Sequence, residues 1–264
     1  MSRQALTVLI VARNEEAQLP ECLASAGFAD EIVVVLDRST DRSAEIARAA
    51  GATLVEGGWP VEAERRNSGI AACAGPWILE LDSDERISSD LQAELARVLV
   101  APDADFYLIP FHNFIGDVWV RHGWGAYNGT AAKRALFRKG HKLWGAGEVH
   151  PKITFTGIGG ALTGHIDHYA YRDSSALLAR LDRYAAAAAR DGARNQQVPK
   201  VATTVRRFFS RFFKSYVSRK GHREGWRGVA LALFSGLYPV LTHLKILEMR
   251  AQAARPEPQD KTRK

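Results

Sequence analysis

The run ILELDSDERI, Ile78 to Ile87, carries an apolar strand pattern straight into Asp82, Asp84 and Glu85. An unpaired carboxylate inside a strand is costly, so acids gathered at a strand tip mark either a solvated turn or a place that holds something positive. Asp82 and Asp84 stand at i and i+2 as the chain leaves the strand, and both can aim oxygens at one hard cation. Mg²⁺ or Mn²⁺ held this way keeps positions open for phosphate oxygens. Asp37, after the apolar run EIVVVL, can accept hydrogen bonds from a base or sugar edge. Arg66, in RRNSG, is placed either to offset a diphosphate or to steady the acids. Competing motifs are missing: G-x-G-x-x-G does not follow the first apolar run, and neither G-x-x-x-x-G-K-[ST] nor G-x-S-x-G occurs.

Positioning these residues calls for alternating strands and helices. LTVLIVA, EIVVVL (Glu31 to Leu36), TLVE (Thr53 to Glu56) and WILEL read as strands. Between them, Glu15 to Ala26, a segment ending near Ala50 before Gly51, and Val61 to Cys73 read as helices. Ser89 and Gln92 have capping-box spacing and open a helix through about Leu99, followed by a strand over Asp105 to Phe111. Short β-rich runs joined by helices imply an α/β fold with a mostly parallel central sheet flanked by helices. In such a sheet ligands sit beyond the carboxyl ends of the strands, which puts Asp37 and Asp82 on one rim. Asn113 to Thr163, rich in Gly, Trp and His, predicts loops and antiparallel strands, AAKRALFRKG and PKITFTG among them. There His112, Trp119, His122, Trp124 and Tyr127 offer aromatic faces suited to a pyranose ring, although core packing explains many of the same residues.

The 264-residue chain is 46% apolar and 25% charged, the composition of an ordinary folded protein. Cys22 and Cys73 form no metal-spacing motif and no disulfide framework, so buried packing in a reducing, cytoplasmic compartment is expected. The N-terminus shows no secretory pattern. Charge is uneven: residues 1–100 carry −8 and the remainder +15. Asp173 to Asp191 predicts a helix ending before Gly192. In VATTVRRFFSRFFKSYVSRK, a helical projection gathers Val205, Phe208, Phe209, Phe212, Phe213 and Tyr216 on one arc and Arg207, Arg211 and Lys214 on the other. The aromatics either pack on the preceding domain or, with the apolar segment Val229 to Leu241, rest on an anionic membrane surface. That segment is broken by Ser235, Gly236 and Pro239 and reads as hairpin-like, too short to cross a bilayer. Nucleic acid is disfavoured as a partner, since no helix-turn-helix, zinc-finger or RRM pattern occurs.

LTVLIVARNEE, VVVLDRSTDRS, RRNSG and ILELDSDERI, in this order and spacing, resemble the nucleotide-sugar-binding half of family 2 glycosyltransferases, which have the GT-A fold. KRALFRKGHKLWGAGEVHPKI and HIDHYAYRDSSALLARLDRYAAAAARDG resemble the bacterial β-glucosyltransferase branch that acts on the heptose region of lipopolysaccharide inner core. Together these pieces cover residues 5–195. The resemblance implies a catalytic domain over 1–195, with a nucleotide-sugar half at 1–100 and an acceptor half at 101–172. The remaining residues, 196–264, then form a basic amphipathic helical extension that associates with the membrane.

It also implies inverting, metal-dependent transfer, with UDP-glucose as donor and a lipid-anchored anionic oligosaccharide as acceptor, at the inner face of the cytoplasmic membrane. Ala12, Arg13, Glu15, Asp37, Arg66, Asp82 and Ser83 would meet the nucleotide sugar, and Arg172 a phosphate. Asp84, Asp82 and His168, the histidine before YAYRD, would hold the cation, with His165 a weaker candidate. A polyprenyl-phosphate, capsule or exopolysaccharide acceptor is the nearest alternative; a nucleotidyltransferase and a nucleic-acid-binding protein are more distant ones. The chain departs from the branch where V-H-E becomes Val149-His150-Pro151. Inversion needs a base for the acceptor hydroxyl. Glu148 is then the first choice, and His150, on the same side of a strand, could orient the acceptor.

Overall fold

The computed structural model describes residues 2–125, 131–145, 152–194 and 198–253. These fall into two compact units, Met1–Trp119 with Thr130–Ala170, and Val120–Gly129 with Tyr171–Lys264.

The first unit is built on β1 (Leu6–Ala12), every residue of which is buried. A strand covered on both faces reads as an unbroken apolar run, and β2 (Glu31–Asp37) and β4 (Trp77–Asp82) follow the same rule. They are linked by α1 (Leu19–Ala26), α2 (Ser43–Ala49), β3 (Thr53–Gly57) and α3 (Glu62–Ala72). Helix α1 starts later than the sequence suggests because Pro20 fixes its first turn, while Glu15 and Glu16 lie in the preceding turn.

A three-residue strand, β5 (Glu85–Ile87), lies within the acidic run itself. Next come α4 (Ser89–Val98), capped by Ser88, then β6 (Phe106–Ile115) and β7 (Val118–Trp119). The remaining strands are β8 (Ala132–Arg138), β9 (Lys142–Trp144), β10 (Ile153–Phe155), β11 (Gly159–Ala161) and β12 (Ile166–Tyr171). The sheet runs β3-β2-β1-β4-β8-β6-β12-β5, with β7 and β11 also on β6. Its first four strands are parallel, whereas β8 runs antiparallel to both β4 and β6, and β5 antiparallel to β12. The expected parallel strands of the first hundred residues and the antiparallel middle are both present.

The strand order reverses between β1 and β4, the switch point at which such sheets open a crevice. There Val11 pairs with Asp82. Helix α3 crosses this region closely because Gly69 has no side chain: a Cβ there would lie 2.6 Å from Val35 Cγ2 and 2.8 Å from Leu9 Cδ1. Arg66, one turn earlier, is held over the strand ends by that contact.

The second unit contains α5 (Ser174–Arg194), α6 (Val201–Phe213) and α7 (Gly225–Ala253), with α7 packed along both of the others. It therefore begins before the boundary expected at residue 195, since α5 joins the tail helices. Two sequence expectations are corrected here. The single helix over Val201 to Lys220 becomes α6 followed by a π-turn at Lys214–Ser218. The hairpin-like segment Val229 to Leu241 is instead the middle of one 29-residue helix. Ser235, Gly236 and Pro239 do not break it; all three are buried on its packed face. Gly236 lets α6 approach, since a Cβ there would stand 3.0 Å from the Phe208 ring and carbonyl oxygen. The stretch Gly221–Ala253 is thus long and apolar enough, by length and composition, to cross a bilayer.

Candidate active site

Asp82 ends β4, and the alternation of a strand puts Glu80 on the same face two residues earlier. Glu80 is fully buried, and its partners explain why a strand interior carries an acid at all. Arg66 Nη1 donates to Glu80 Oε1 at 2.7 Å, Lys142 Nζ to Oε2 at 2.8 Å, and the Trp144 indole to Oε2 at 3.3 Å. Burial alone would raise this carboxyl, but Lys142, Arg66 and Lys133 hold it down at about 2. Arg66 then extends Nη2 to Asp82 Oδ1 at 2.6 Å and Nε to Glu62 Oε1 at 2.6 Å. Of the two roles open to Arg66, the geometry shows contact with the acid cluster.

Lys133, from β8, reaches the same cluster, 3.6 Å from Asp82 Oδ2 and 3.2 Å from Glu85 Oε2. Against the cost of burial, Arg66 and Lys133 hold the Asp82 carboxyl well below the usual carboxylate range. Glu85 behaves oppositely: burial and the Asp82 charge push it up to about 7 despite Lys133. Asp84 remains partly exposed, with Oδ2 3.5 Å from His168 Nε2. His168 is oriented by Asn113, whose Oδ1 lies 2.7 Å from Nδ1.

Asp82, Asp84 and Glu85 each bring a carboxylate oxygen within 4.8 Å of the others. An all-oxygen donor set of this kind suits a hard divalent ion such as Mg²⁺ or Mn²⁺. Burial first, and the neighbouring Asp82 charge after it, disfavour the ionised Glu85 carboxylate, a cost that a cation at the cluster would offset. The residues present therefore fit the metal.

Asp37 ends β2, which flanks β1 on the side away from β4, and is buried. Arg38 donates to it from Nε at 2.9 Å and Nη2 at 3.2 Å, the Trp59 amide at 3.4 Å, and Arg65 Nη1 stands 3.5 Å away. Burial would lift this carboxyl, yet those hydrogen bonds and charges keep it below its ordinary value. Consecutive arginines of α3 thus tie the ends of two strands together, Arg65 to Asp37 and Arg66 to Asp82.

Ala12, at the end of β1, is buried, and Arg13 is exposed beside it. The Glu15 amide donates to Ser43 Oγ at 3.0 Å, and Asn14 Oδ1 accepts from the Thr40 amide at 2.8 Å, joining the loops after β1 and β2. Ser83 is buried, its carbonyl accepting from Arg86. Arg172 belongs to the second unit, where its guanidinium is exposed and 3.9 Å from Asp173. Glu148, His150 and Tyr127 lie outside the described residues. The aromatic set divides: His112 and Trp119 stack in the first unit, while His122 pairs with Glu224 and Trp124 stacks on Tyr171 in the second. Both cysteines are buried and unpaired, as expected.

Sequence reasoning counted Glu85 in the acidic run but gave it no role, and it missed Glu80, Lys133, Lys142 and Asn113. For Glu80 the signal was available, since i and i+2 in a strand share a face.

The family described as Glycosyl transferase family 2 matches residues 7–150, a span that takes in the whole acid cluster. The chain belongs to glycosyltransferase family 2. Among relatives of this transferase, the lipopolysaccharide core biosynthesis glycosyltransferase LpsC of Rhizobium meliloti (strain 1021) is 25% identical over 97% of this chain and 96% of its own. An uncharacterized glycosyltransferase of Rickettsia bellii (strain RML369-C) is 32% identical over 39% of this chain, a match spanning only 35% of that protein. Among solved structures, S. aureus TarS is similar over 46% of this chain and 38% of its own, with 22% identity and a TM-score of 0.38.

Proposed function

We propose that this transferase moves glucose from UDP-glucose, with inversion, onto a heptose of the lipopolysaccharide inner core. The observation that carries the reading is the convergence of Asp82, Asp84 and Glu85 at the switch point of a family 2 fold. Asp84 and Asp82 would hold Mg²⁺ or Mn²⁺, with His168 beside Asp84. When bound, that ion supplies positive charge against the departing diphosphate. Arg66 and Lys133 orient the acids and limit their mutual repulsion. Ala12, Arg13, Glu15, Asp37 and Ser83 line the nucleotide sugar, and Arg172 meets a phosphate. Glu148 takes the proton of the attacking hydroxyl, and His150 orients the acceptor. The lipopolysaccharide acceptor is supported by LpsC, a relative of nearly equal length whose name assigns it to core biosynthesis.

A lipid-anchored, anionic acceptor also suits the second unit. Val201, Val205, Phe209, Phe213 and Val217 leave an exposed apolar stripe along α6 and its π-turn, while Phe208 and Phe212 turn partly inward. Trp226, Val229, Leu233, Leu244 and Leu247 form a second stripe on α7. Nine Lys or Arg against one acid between Lys200 and Arg227 add attraction to an anionic surface. The chain then works peripherally at the inner face of the cytoplasmic membrane. Calorimetry of UDP binding tests the donor half: affinity should rise more than about tenfold with Mn²⁺. Equal affinity in its absence would remove the reading. A screen of nucleotide-sugar hydrolysis then identifies the sugar.

A further inference from the structure

Taking Asp82 and Asp84 as the metal ligands of the proposed function, we propose that Arg86 is the residue that positions them. It fixes the backbone of the turn that carries Asp82, Asp84 and Glu85, and it does so without pairing with any of their carboxylates.

Strand alternation places Arg86 behind the cluster. In β5, Glu85 and Ile87 point to one face and Arg86 to the other. Glu85 therefore joins the acids, while Arg86 is buried at the back of the turn. Its Nη1 donates to the Ser83 carbonyl at 2.7 Å and to the Glu85 carbonyl at 3.0 Å. The carbonyl between them, that of Asp84, accepts from the Tyr169 amide at 2.9 Å. The Tyr169 ring also backs the guanidinium, 5.5 Å from its centroid. Three successive carbonyls of the turn are thereby tethered. On its other edge, Arg86 Nη2 donates to the carbonyl and to Oε1 of Gln18, both at 2.8 Å. The Gln18 amide in turn donates to the Glu15 carbonyl at 3.0 Å. One guanidinium thus joins the acid turn to the loop after β1.

The cations around the acids divide their work. Arg66 and Lys133 offset charge directly, Arg66 at Asp82 and Lys133 at Asp82 and Glu85. A third cation aimed at the carboxylates would compete with a divalent ion for the same oxygens. Arg86 instead spends its hydrogen bonds on neutral acceptors, and its ion-pair contact is the exposed Glu21 at 3.5 Å. What it supplies is geometry. Ligand oxygens must be held to within about 0.5 Å of a productive arrangement, and tethered carbonyls on both sides of Asp84 set the direction in which that side chain leaves the turn. The task needs a planar fork with donors on two edges; lysine, a point charge on a flexible stem, cannot span both segments.

The test titrates UDP calorimetrically into the full chain with and without Mn²⁺, alongside thermal melts. Wild type should gain more than about tenfold in UDP affinity with Mn²⁺; no gain would overturn the donor reading and this role for Arg86 with it. Arg86→Lys keeps the charge and loses the fork, and its gain should be cut by about tenfold or abolished, as for loss of an outer partner at a metal site. Gln18→Ala removes one acceptor at a half-buried side chain and should cut the gain in the same direction but less. It keeps the answer readable if Arg86→Lys does not fold. A purely structural Arg86 would lower the melting temperature and leave the ratio of the two affinities untouched. A full wild-type gain in folded Arg86→Lys, or in Gln18→Ala where Arg86→Lys does not fold, would overturn the proposal and leave the donor reading in place.

Discussion

The two units place their chemistry in opposite ways. The first buries charge: Glu80, Arg66, Lys142, Lys133 and Glu85 are packed around Asp82 at the ends of β1 and β4. The second exposes grease: Phe209 and Phe213 are more than half exposed, at 53% and 55%, and so is Trp226 at 56%. Neither arrangement favours a stable monomer in water. Buried ion pairs are weak contributors to stability, and large exposed apolar stripes mark contact with something else. On the proposed function, each unit gives up stability for a surface that acts on a partner, a polyvalent anion in the first and an amphipathic layer in the second.

Three variants would sharpen or break this contrast. The largest effect is expected from Asp84→Ala, which removes a proposed metal ligand without stranding a buried charge. Turnover of the nucleotide sugar should fall by at least about 10²-fold while the melting profile is unchanged. Unfolding instead would show that Asp84 is structural and would erase the distinction between organised charge and reactive charge.

Next is Glu80→Ala, which leaves Arg66 and Lys142 buried without their shared acid. Chemical denaturation should report a loss of about 3–5 kcal/mol. The pH dependence has a definite sign. Glu80 is held down at about 2 from 4.5, so its stabilisation is complete above pH 4.5 and is lost as pH falls toward 2. Wild type should weaken through that window, and the variant should show a shallower acid slope. Equal slopes would mean that the network is not held by this carboxylate.

The smallest effect falls on the helical face. Burying a large apolar side chain is worth about 1.5–3 kcal/mol, so Phe209→Glu should weaken sedimentation with anionic vesicles about tenfold or more. Melting should hardly change, because the ring is already in water. If vesicle binding is unaltered, the exposed stripe serves some other contact and the membrane reading of the second unit fails.

Legibility in the sequence followed burial. LTVLIVA, EIVVVL and WILEL declared themselves because strands covered on both faces admit few polar residues, and the rim acids declared themselves by ending those runs. Strand β5 did not, since ERI has no apolar pattern and is fixed by pairing with β12, eighty residues away in sequence. Lys133 and Lys142 were equally silent: Lys133 reaches the acids through the pairing of β8 with β4, and Lys142 from β9, which pairs with β10 and is tied to α3 by the Asn67–Trp144 hydrogen bonds. Helix α7 was misread for a different reason. Ser235, Gly236 and Pro239 have the chemistry of breakers, but in this helix their small or compact side chains make the packed face. Interior proline costs about 3 kcal/mol, and tertiary packing on α5 and α6 outweighs it.

Gly69 shows how far the acid cluster depends on plain core spacing. It bears no functional group, yet the missing methyl sets how deeply α3 settles onto Val35 and Leu9, and so how far Arg65 and Arg66 can stretch. The helix works as a spacer gauge, with two guanidinium arms cut to length. A survey of inactivating substitutions would rank this position with the acids, and only a calorimetric melt would reveal that the fault lies in thickness rather than in chemistry.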